Sequence, residues 1–126
     1  MSKEVIAVKQ VPVVGPYSQA VEVGGFIFCS GQIPIDPQTG LLAGSDIGQA
    51  TRRVLDNLIL VLAEAGLSLK DIVKTTIYLT DLVDFPVVND IYATYFVAPF
   101  PARATVQVAA LPKGAMIEID AIAVRP

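Results

Sequence analysis

The stretch that decides the fold is Pro101-Ala-Arg-Ala-Thr-Val-Gln-Val-Ala-Ala-Leu-Pro-Lys-Gly114, together with Met116-Ile-Glu-Ile-Asp-Ala-Ile-Ala-Val124. Its small and β-branched residues predict two strands, over 104–109 and 116–124, joined by a turn at 111–114. In the last strand Glu118 and Asp120 lie two residues apart and share one face, while isoleucine and alanine side chains take the other. The pattern therefore indicates a sheet with one apolar face.

Upstream of this stretch, two local patterns predict a hairpin and a helix. The pair Gly24-Gly25 separates strand-like runs over 21–23 and 26–29, and glycine supplies the positive φ that a tight hairpin needs. Apolar residues at spacings of three and four predict an amphipathic helix over 46–65. Gly66 follows this helix at the position where a left-handed residue ends it.

The remaining segments complete an α+β pattern. A strand is predicted over 73–80, and a second helix from near Asp84 to about Val97, with Pro86 in its first turn. Leu41-Leu42 is a candidate for one further short strand. The predicted order is ββ(β)αβαββ, an α+β sandwich in which two helices cover one face of a mixed sheet.

Composition predicts one domain over residues 1–126 with a surface short of charge. The chain has 53% hydrophobic and 17% charged residues, whereas charged residues make up about a quarter of an average soluble domain. Apolar patches above a few hundred Å² are rarely left exposed, and two helices cover only one face of the sheet. We therefore expect a homo-oligomer whose subunits meet at the other face.

Charge and residue content exclude several classes of function. A net charge of −3 and a pI near 4.7 argue against a nucleic-acid-binding surface. Without histidine and with the single Cys29, the chain has no nitrogen and sulfur ligand set for a metal and no intrachain disulfide; we interpret Cys29 as a small buried hydrophobe. The start, Met1-Ser-Lys-Glu4, lacks a secretory pattern, and no apolar run reaches the length of a membrane helix, so we expect a cytoplasmic protein.

Arg103 is the only charged residue among the 22 positions from Ile91 to Pro112. A guanidinium is costly to bury without an anion, and its planar fork fits a carboxylate with two parallel hydrogen bonds. Its partner is either the carboxylate of a bound substrate or this protein's own Glu118. If the last two strands pair as a hairpin, Arg103 and Glu118 approach each other, although loop length alone does not fix the register.

Other polar positions allow two interpretations each. Glu118 and Asp120 form either a solvated outer face of the sheet or part of a site. Tyr17 is either a packing residue with a hydrogen-bonded hydroxyl or a ligand contact, and Ser30-Gly31 is either a plain turn or part of a binding site. The chain contains no Gly-rich phosphate loop, nucleophile elbow or paired-cysteine motif.

Four motifs together resemble the RidA family, also called YjgF. They are Gly15-Pro-Tyr-Ser-Gln-Ala20, Ser30-Gly-Gln-Ile-Pro34, Asp71-Ile-Val-Lys-Thr75 and the C-terminal stretch quoted above. The resemblance covers essentially the whole chain. It implies a chorismate-mutase-like α+β fold and a homotrimer with its sheets facing the centre, its helices outside and a cleft between each pair of subunits.

The resemblance also implies an activity and a set of site residues. The activity is hydrolysis of reactive enamine and imine intermediates, such as 2-aminoacrylate, to 2-oxo acids and ammonia without a cofactor. Arg103 matches the arginine that grips the substrate carboxylate, and Glu118 matches the acid near the attacking water. The positions that match cleft-lining residues are Tyr17, Ser30, Gly31 and Asn89. At Thr105 some family members have cysteine, but the backbone there is expected to contact the ligand, so we expect activity to persist and substrate preference to vary.

Two other functions remain as alternatives. The same clefts, in the same trimer, would serve a non-catalytic regulator that binds small carboxylates. A ribonuclease or translation inhibitor, a function attached to some relatives, is disfavoured because the chain is acidic, lacks histidine and has nine scattered basic residues. Release of 2-oxo acid in the presence of a dehydratase and its amino acid separates the deaminase from the regulator.

Overall fold

The computed structural model describes residues 2–13 and 15–126. Six strands form one mixed sheet, and two helices, α1 (Ile47–Glu64) and α2 (Phe85–Tyr95), pack on one of its faces. The strands are β1 (Glu4–Ile6), β2 (Ala20–Val23), β3 (Phe26–Gln32), β4 (Ile72–Leu79), β5 (Ala102–Gln107) and β6 (Ile117–Val124). Their order across the sheet is β1-β2-β3-β6-β4-β5.

The β2–β3 hairpin is confirmed, and its second strand carries an irregularity that shapes the site. Gly24 and Gly25 have φ of 58° and 82°, the conformation of a type I′ turn. Along the β3–β6 ladder, Cys29 pairs with Ala121 and Gln32 with Ile119, so β3 carries one extra residue at Ser30-Gly31. Such a bulge bends the strand and turns its side chains to new directions.

Helix α1 is confirmed to within a residue at each predicted end. The Asp46 carboxylate accepts a hydrogen bond from the Gln49 N–H at 2.8 Å, which satisfies a free amide of the first turn. Gly66 has φ of 74°, and the N–H of Leu67 donates to the Leu62 carbonyl at 2.9 Å, as in a glycine-terminated helix. Local chemistry therefore sets both ends of this helix.

Helix α2 and the short strands differ in part from prediction. Pro86 lies in the first turn of α2 as expected, but the helix ends at Tyr95 because Phe96 takes an extended conformation. Leu42 forms an isolated bridge with Ile35 rather than a strand. Strand β1, which the sequence pattern did not indicate, pairs with β2 at the edge of the sheet.

The core lies between the helices and the inner face of the sheet. Fully buried side chains of the sheet meet fully buried side chains of α1 and α2; they are Ile27, Ile77, Leu79, Ile117, Ile119, Val54, Leu55, Leu58, Leu62 and Val88. Burial of each large aliphatic side chain contributes about 1.5–3 kcal/mol. On β6 these residues alternate with half-buried Glu118 and Asp120, which confirms that the two acids share the face opposite the core.

The opposite face of the sheet, here called the open face, is covered by neither helix. Phe26 and Phe28 are 47% and 42% exposed there, and Val106 is 41% exposed. Phe26 pairs with Val124 and Phe28 with Ile122, so an apolar area extends across β3 and β6. Among the described residues no helix is long and apolar enough to cross a membrane.

The conditional expectation that the last two strands form a hairpin is wrong. Strand β4 lies between them and pairs parallel with β5 and antiparallel with β6. The chain from β4 through α2 to β5 is a crossover unit, and a parallel partner needs such a connection. Arg103 pairs with buried Thr75, whereas Glu118 pairs with Tyr78 three residues along β4. The two charged side chains therefore leave the sheet on opposite faces.

Candidate active site

A cavity of about 530 Å³ lies at the end of the sheet where β3 bulges, and we call it the Glu118 cavity. It brings together four of the predicted site residues, Tyr17, Ser30, Gly31 and Glu118. The other lining residues are mostly apolar, with Lys113 as a cation: Val11, Pro12, Gln19, Gln32, Ile33, Ile35, Gly40, Pro112 and Lys113. A concave, largely apolar space with a few polar groups is the usual form of a small-molecule site.

Gly31 allows the Glu118 carboxyl to pack directly against the β3 backbone. A Cβ atom at position 31 would lie 2.7 Å from Glu118 Cδ and 3.0 Å from Cγ, and would overlap Oε2. Any side chain at this position would have to displace the carboxyl. Glycine at position 31 thus leaves the space that the Glu118 carboxyl occupies, and the plain-turn interpretation of Ser30-Gly31 is incomplete.

The Glu118 carboxyl is half-buried and lacks a hydrogen-bond donor among the described residues. Burial raises its pKa above the ordinary glutamate value, and the negative charge of Asp120 raises it further. A carboxyl with a raised pKa accepts a proton more readily than an ordinary glutamate side chain. Glu118 is therefore a candidate for a general acid–base residue.

Ser30 and Gln19 hold the wall of the cavity together. The Ser30 hydroxyl donates to the Ser18 carbonyl at 2.6 Å, and the Ser30 N–H donates to the Gln19 carbonyl at 2.8 Å. The buried Gln19 side-chain amide donates to the carbonyls of Val8, at 2.9 Å, and Val11, while its oxygen accepts from the Val8 N–H. Sequence reasoning missed this role of Gln19.

Asn57 supports the cavity from the helix layer and was also missed. Its side chain is fully buried, and its Nδ2 donates to the carbonyls of Ile33 at 3.4 Å and Ile35 at 2.9 Å, two cavity-lining residues. The Arg53 Nε donates to its Oδ1 at 3.1 Å. The available signal was an amide within the apolar stripe of an amphipathic helix, where a polar residue needs buried partners.

Arg103 lies elsewhere, in a second cleft of about 400 Å³ between α2 and β5 that we call the Arg103 cleft. Its guanidinium is centred 5.0 Å from the Tyr92 ring and 5.3 Å from the Phe85 ring, within the range of cation–π attraction. Its Nη1 donates to Asn89 Oδ1 at 2.9 Å. Asn89 therefore orients the arginine, in the same cleft as Ala93, Phe100 and Pro101.

Within residues 2–13 and 15–126, Arg103 has no carboxylate partner. The one ion pair there joins Arg125 to Glu22, at 2.8 Å. The interpretation that Arg103 pairs with Glu118 of its own chain is therefore wrong, because β4 separates the strands that carry them and the side chains lie on opposite faces. The guanidinium is exposed, and no carboxylate of the described residues neutralises its charge.

Cys29 and the acidic residues provide no metal site in the described part of the chain, where no three potential ligands cluster. Burial, and to a lesser degree the charge of Asp120, raises the pKa of the Cys29 thiol to about 11. A thiol with such a pKa is protonated and unreactive at neutral pH. The buried thiol fits its interpretation as a small hydrophobe.

Comparison with known proteins assigns the chain to a family. The sequence model of a family described as Endoribonuclease L-PSP matches residues 8–125. This is the RidA family, and the chain belongs to it. A RutC family protein of Pyrococcus abyssi is 52% identical to it over 124 residues, 98% of each protein. The 2-iminobutanoate/2-iminopropanoate deaminase of Salmonella typhimurium is 46% identical over 128 residues, 99% of each.

Solved structures of RidA relatives have the same fold. The structure of E. coli TdcF with bound serine matches this chain with a TM-score of 0.92 at 43% identity, covering 98% of this chain and 99% of TdcF. The α+β fold predicted from the sequence, with two helices on one face of a mixed sheet, is therefore confirmed.

In this RidA chain the predicted site residues fall into two groups rather than one. Tyr17, Ser30, Gly31 and Glu118 line the Glu118 cavity, whereas Asn89 and Arg103 line the Arg103 cleft. Thr105 lines neither of them; its Oγ1 is buried and has no hydrogen-bond partner among the described residues. The predicted site residues of the chain are thus divided between two separate pockets.

Proposed function

We propose that this protein is an imine deaminase, which hydrolyses reactive 2-imino acids and their enamine tautomers to 2-oxo acids and ammonia. The observation that carries the proposal is the exposed guanidinium of Arg103, held by Asn89 and two aromatic rings and without a carboxylate partner in the described chain. A small carboxylate fits such a group with two parallel hydrogen bonds. The name of the Salmonella typhimurium relative supports this assignment.

We infer that the complete site forms between two copies in a homotrimer, where the Arg103 cleft of one subunit faces the Glu118 cavity of the next. Two features support this assembly. Arg103 and Glu118 lie on opposite faces of the sheet, so one chain cannot bring them to one ligand. The open face carries exposed Phe26 and Phe28, which a second subunit would cover.

The reaction needs few groups. Arg103 anchors the carboxylate, and the apolar walls of the Glu118 cavity exclude competing water. Glu118 removes a proton from one water, whose oxygen bonds to C2 of the protonated imine and gives a carbinolamine. Glu118 then returns that proton to the amino group. As the C–N bond breaks, its electron pair leaves with nitrogen as ammonia, and the hydroxyl oxygen forms the C=O bond of the 2-oxo acid. Glu118 takes up the hydroxyl proton and passes it to ammonia, which leaves as ammonium. An enamine of the 2-aminoacrylate type first takes a proton at C3 to give the same imine.

None of these steps requires a cofactor, because a protonated imine is already electrophilic. We place the reaction in the cytoplasm, where an unpaired cysteine such as Cys29 is common. The exposed Arg103 guanidinium supports a substrate with one carboxylate, and the name of the Salmonella typhimurium relative supplies the imine group.

The test generates 2-aminoacrylate in the cuvette from serine and a pyridoxal-phosphate-dependent dehydratase, with semicarbazide present to trap the free imine. We expect the purified protein to speed pyruvate release and to reduce the semicarbazone formed. The matched control is Glu118→Gln, which has nearly the same shape and cannot take a proton. An unchanged rate with the wild-type protein would reject the deaminase proposal.

A non-catalytic carboxylate binder is the second candidate, because E. coli TdcF has been crystallised with bound serine, a stable amino acid. Calorimetry with serine and with 2-oxobutanoate measures binding without turnover. Binding without any effect on imine hydrolysis favours this second function. The family description as endoribonuclease is tested in parallel, and we expect RNA incubated with the pure protein to remain intact.

A further inference from the structure

Beside the Glu118 cavity, three polar side chains form a cluster on the open face of the sheet. Tyr78 is the β4 residue that pairs with Glu118, and its hydroxyl donates to Asp120 Oδ2 at 2.9 Å. Asp120 lies two residues beyond Glu118 on β6, a rise of about 7 Å. Two carboxylates and one phenol thus share a half-buried part of the sheet.

The groups around this cluster do not neutralise the two acids. From β4, Lys74 donates to Thr76 Oγ1 at 3.2 Å, and Thr76 is the residue that pairs with Asp120. From β3, Gly31 contributes only backbone against the Glu118 carboxyl. Tyr17 and Lys113 line the cavity, and within the described chain neither forms an ion pair or hydrogen bond with Glu118.

The two carboxyl groups have unequal surroundings. Asp120 accepts a hydrogen bond from Tyr78, whereas Glu118 has no donor among the described residues. A like charge nearby disfavours ionisation of a carboxyl. The charge of Asp120 therefore adds to burial, the larger cause, in raising the pKa of Glu118.

We propose that Asp120, fixed in place by the Tyr78 hydroxyl, is a positioning residue that makes Glu118 a proton carrier for the reaction. Asp120 touches no substrate in this scheme and acts through its charge on Glu118. The consequence for turnover rests on the proposed deaminase function, whereas the coupling between the two carboxyls does not.

The direct test is a carbon-13 titration of the glutamate side chains. The chain has four glutamates, Glu4, Glu22, Glu64 and Glu118, so a sample labelled at glutamate gives a simple spectrum in which Glu118→Gln assigns the key signal. We expect Glu118 to titrate above the ordinary glutamate pKa of about 4.3. Glu22, whose pKa is lowered by the hydrogen bond from Arg125, provides the opposite shift in the same spectrum.

Three variants separate charge from shape. Asp120→Asn keeps an acceptor for the Tyr78 hydroxyl but removes the charge, so the Glu118 midpoint should shift to lower pH. Asp120→Glu keeps the charge and should leave the midpoint raised. The control is Asp56→Asn, which makes the same charge change at a matching pair of carboxylate and tyrosine within the helix layer, where the Tyr95 hydroxyl donates to Asp56 at 2.9 Å; the Glu118 midpoint should not move.

The kinetic counterpart is the pH profile of kcat/KM for imine hydrolysis. Because Asp120→Asn lowers the pKa of Glu118, the limb controlled by Glu118 should move to lower pH whether Glu118 acts as base or as acid. A wild-type Glu118 that titrates as an ordinary glutamate, or a midpoint that Asp120→Asn does not lower, overturns the inference. So does an equal shift in Asp120→Glu, which would make shape the cause. If the titration gives the expected shifts but the protein hydrolyses no imine, only the deaminase function is rejected.

Discussion

Arg103 lies over the rings of Phe85 and Tyr92 and points its guanidinium at no acid of the described chain. Replacing it with alanine should lower kcat/KM about 10- to 150-fold, because a charge-assisted hydrogen bond contributes about 1.5–3 kcal/mol. Arg103→Lys keeps the charge but loses the two-pronged geometry and should recover activity only in part. Initial rates of 2-oxo acid release measure both.

The matched control for Arg103 is Arg125→Ala. Arg125 is also exposed and forms two hydrogen bonds with Glu22, both at 2.8 Å, so its loss removes a comparable side chain and charge. We expect this variant to keep wild-type turnover. Full activity in Arg103→Ala, or loss of assembly in that variant alone, would make Arg103 a structural residue and contradict its anchoring role.

Gly31 gives a second test at the scale of one side chain. Gly31→Ala should push the Glu118 carboxyl away from the β3 backbone, since the new Cβ would lie within 2.7 Å of Glu118 Cδ. Displacement of a reacting group by about 1 Å lowers rates by about 100-fold. We expect a loss of that order in kcat with the fold retained, measured by steady-state kinetics and circular dichroism.

A double variant distinguishes this cause from general damage. In Glu118→Gln, which already lacks the carboxyl, the further change Gly31→Ala should lower kcat much less than it does in the wild-type protein, because both changes act on the same group. Gly48→Ala is the control, because a Cβ there meets Asp46 Oδ1 at 3.2 Å and Ile91 Cδ1 at 3.5 Å without reaching the cavity. No loss in Gly31→Ala would show that the carboxyl relocates freely.

At the scale of elements, the bounds of a helix or hairpin were predicted most accurately where they depend on residues close together in the sequence. The helix over 46–65 and the hairpin at Gly24-Gly25 each depend on residues close in sequence, a capping aspartate and two glycines with positive φ. The pairing of β5 with β4 depends instead on a crossover through α2. A pattern of alternating residues predicts a strand and its faces but does not specify its neighbours.

Asn57 shows how a helix can determine the shape of a distant loop. Asn57→Leu has a similar volume but leaves the Ile35 carbonyl without its side-chain donor, whereas the Ile33 carbonyl keeps the Ile35 N–H at 2.7 Å. An unsatisfied buried group costs about 1–3 kcal/mol. We expect the free energy of unfolding to fall by about that amount, measured by chemical denaturation. Activity should fall as well, because both carbonyls belong to the cavity wall.

Thr51→Val is the control for Asn57. Thr51 is equally buried on α1, but its hydroxyl donates to the Ile47 carbonyl of its own helix, so no loop loses a donor. This variant should lose less stability and keep turnover. If Asn57→Leu is as stable as the wild-type protein, the Ile35 carbonyl has another partner and the proposed support role is wrong.

At the scale of the whole molecule, Arg103 and Glu118 lie on opposite faces of the sheet, so the proposed site needs a second copy to bring them together. The isolation of Arg103 was readable from the sequence; its separation from Glu118 was not, because it follows from β4 lying between β5 and β6. The exposed apolar side chains of the open face provide an area that a second copy would cover. Two copies would then supply an anchor and a proton carrier to one ligand.

This arrangement predicts a quantitative complementation between two impaired variants. Arg103→Ala and Glu118→Gln should each retain only a small fraction of wild-type activity alone, yet subunits mixed at a 1:1 ratio by co-refolding should recover more. Random assembly gives each interface an intact Arg103 and an intact Glu118 with probability one half each, so about one quarter of wild-type activity should return. Sedimentation should show trimers in all samples. If verified mixed trimers recover no activity, Arg103 and Glu118 act from one chain, and the interface site is rejected.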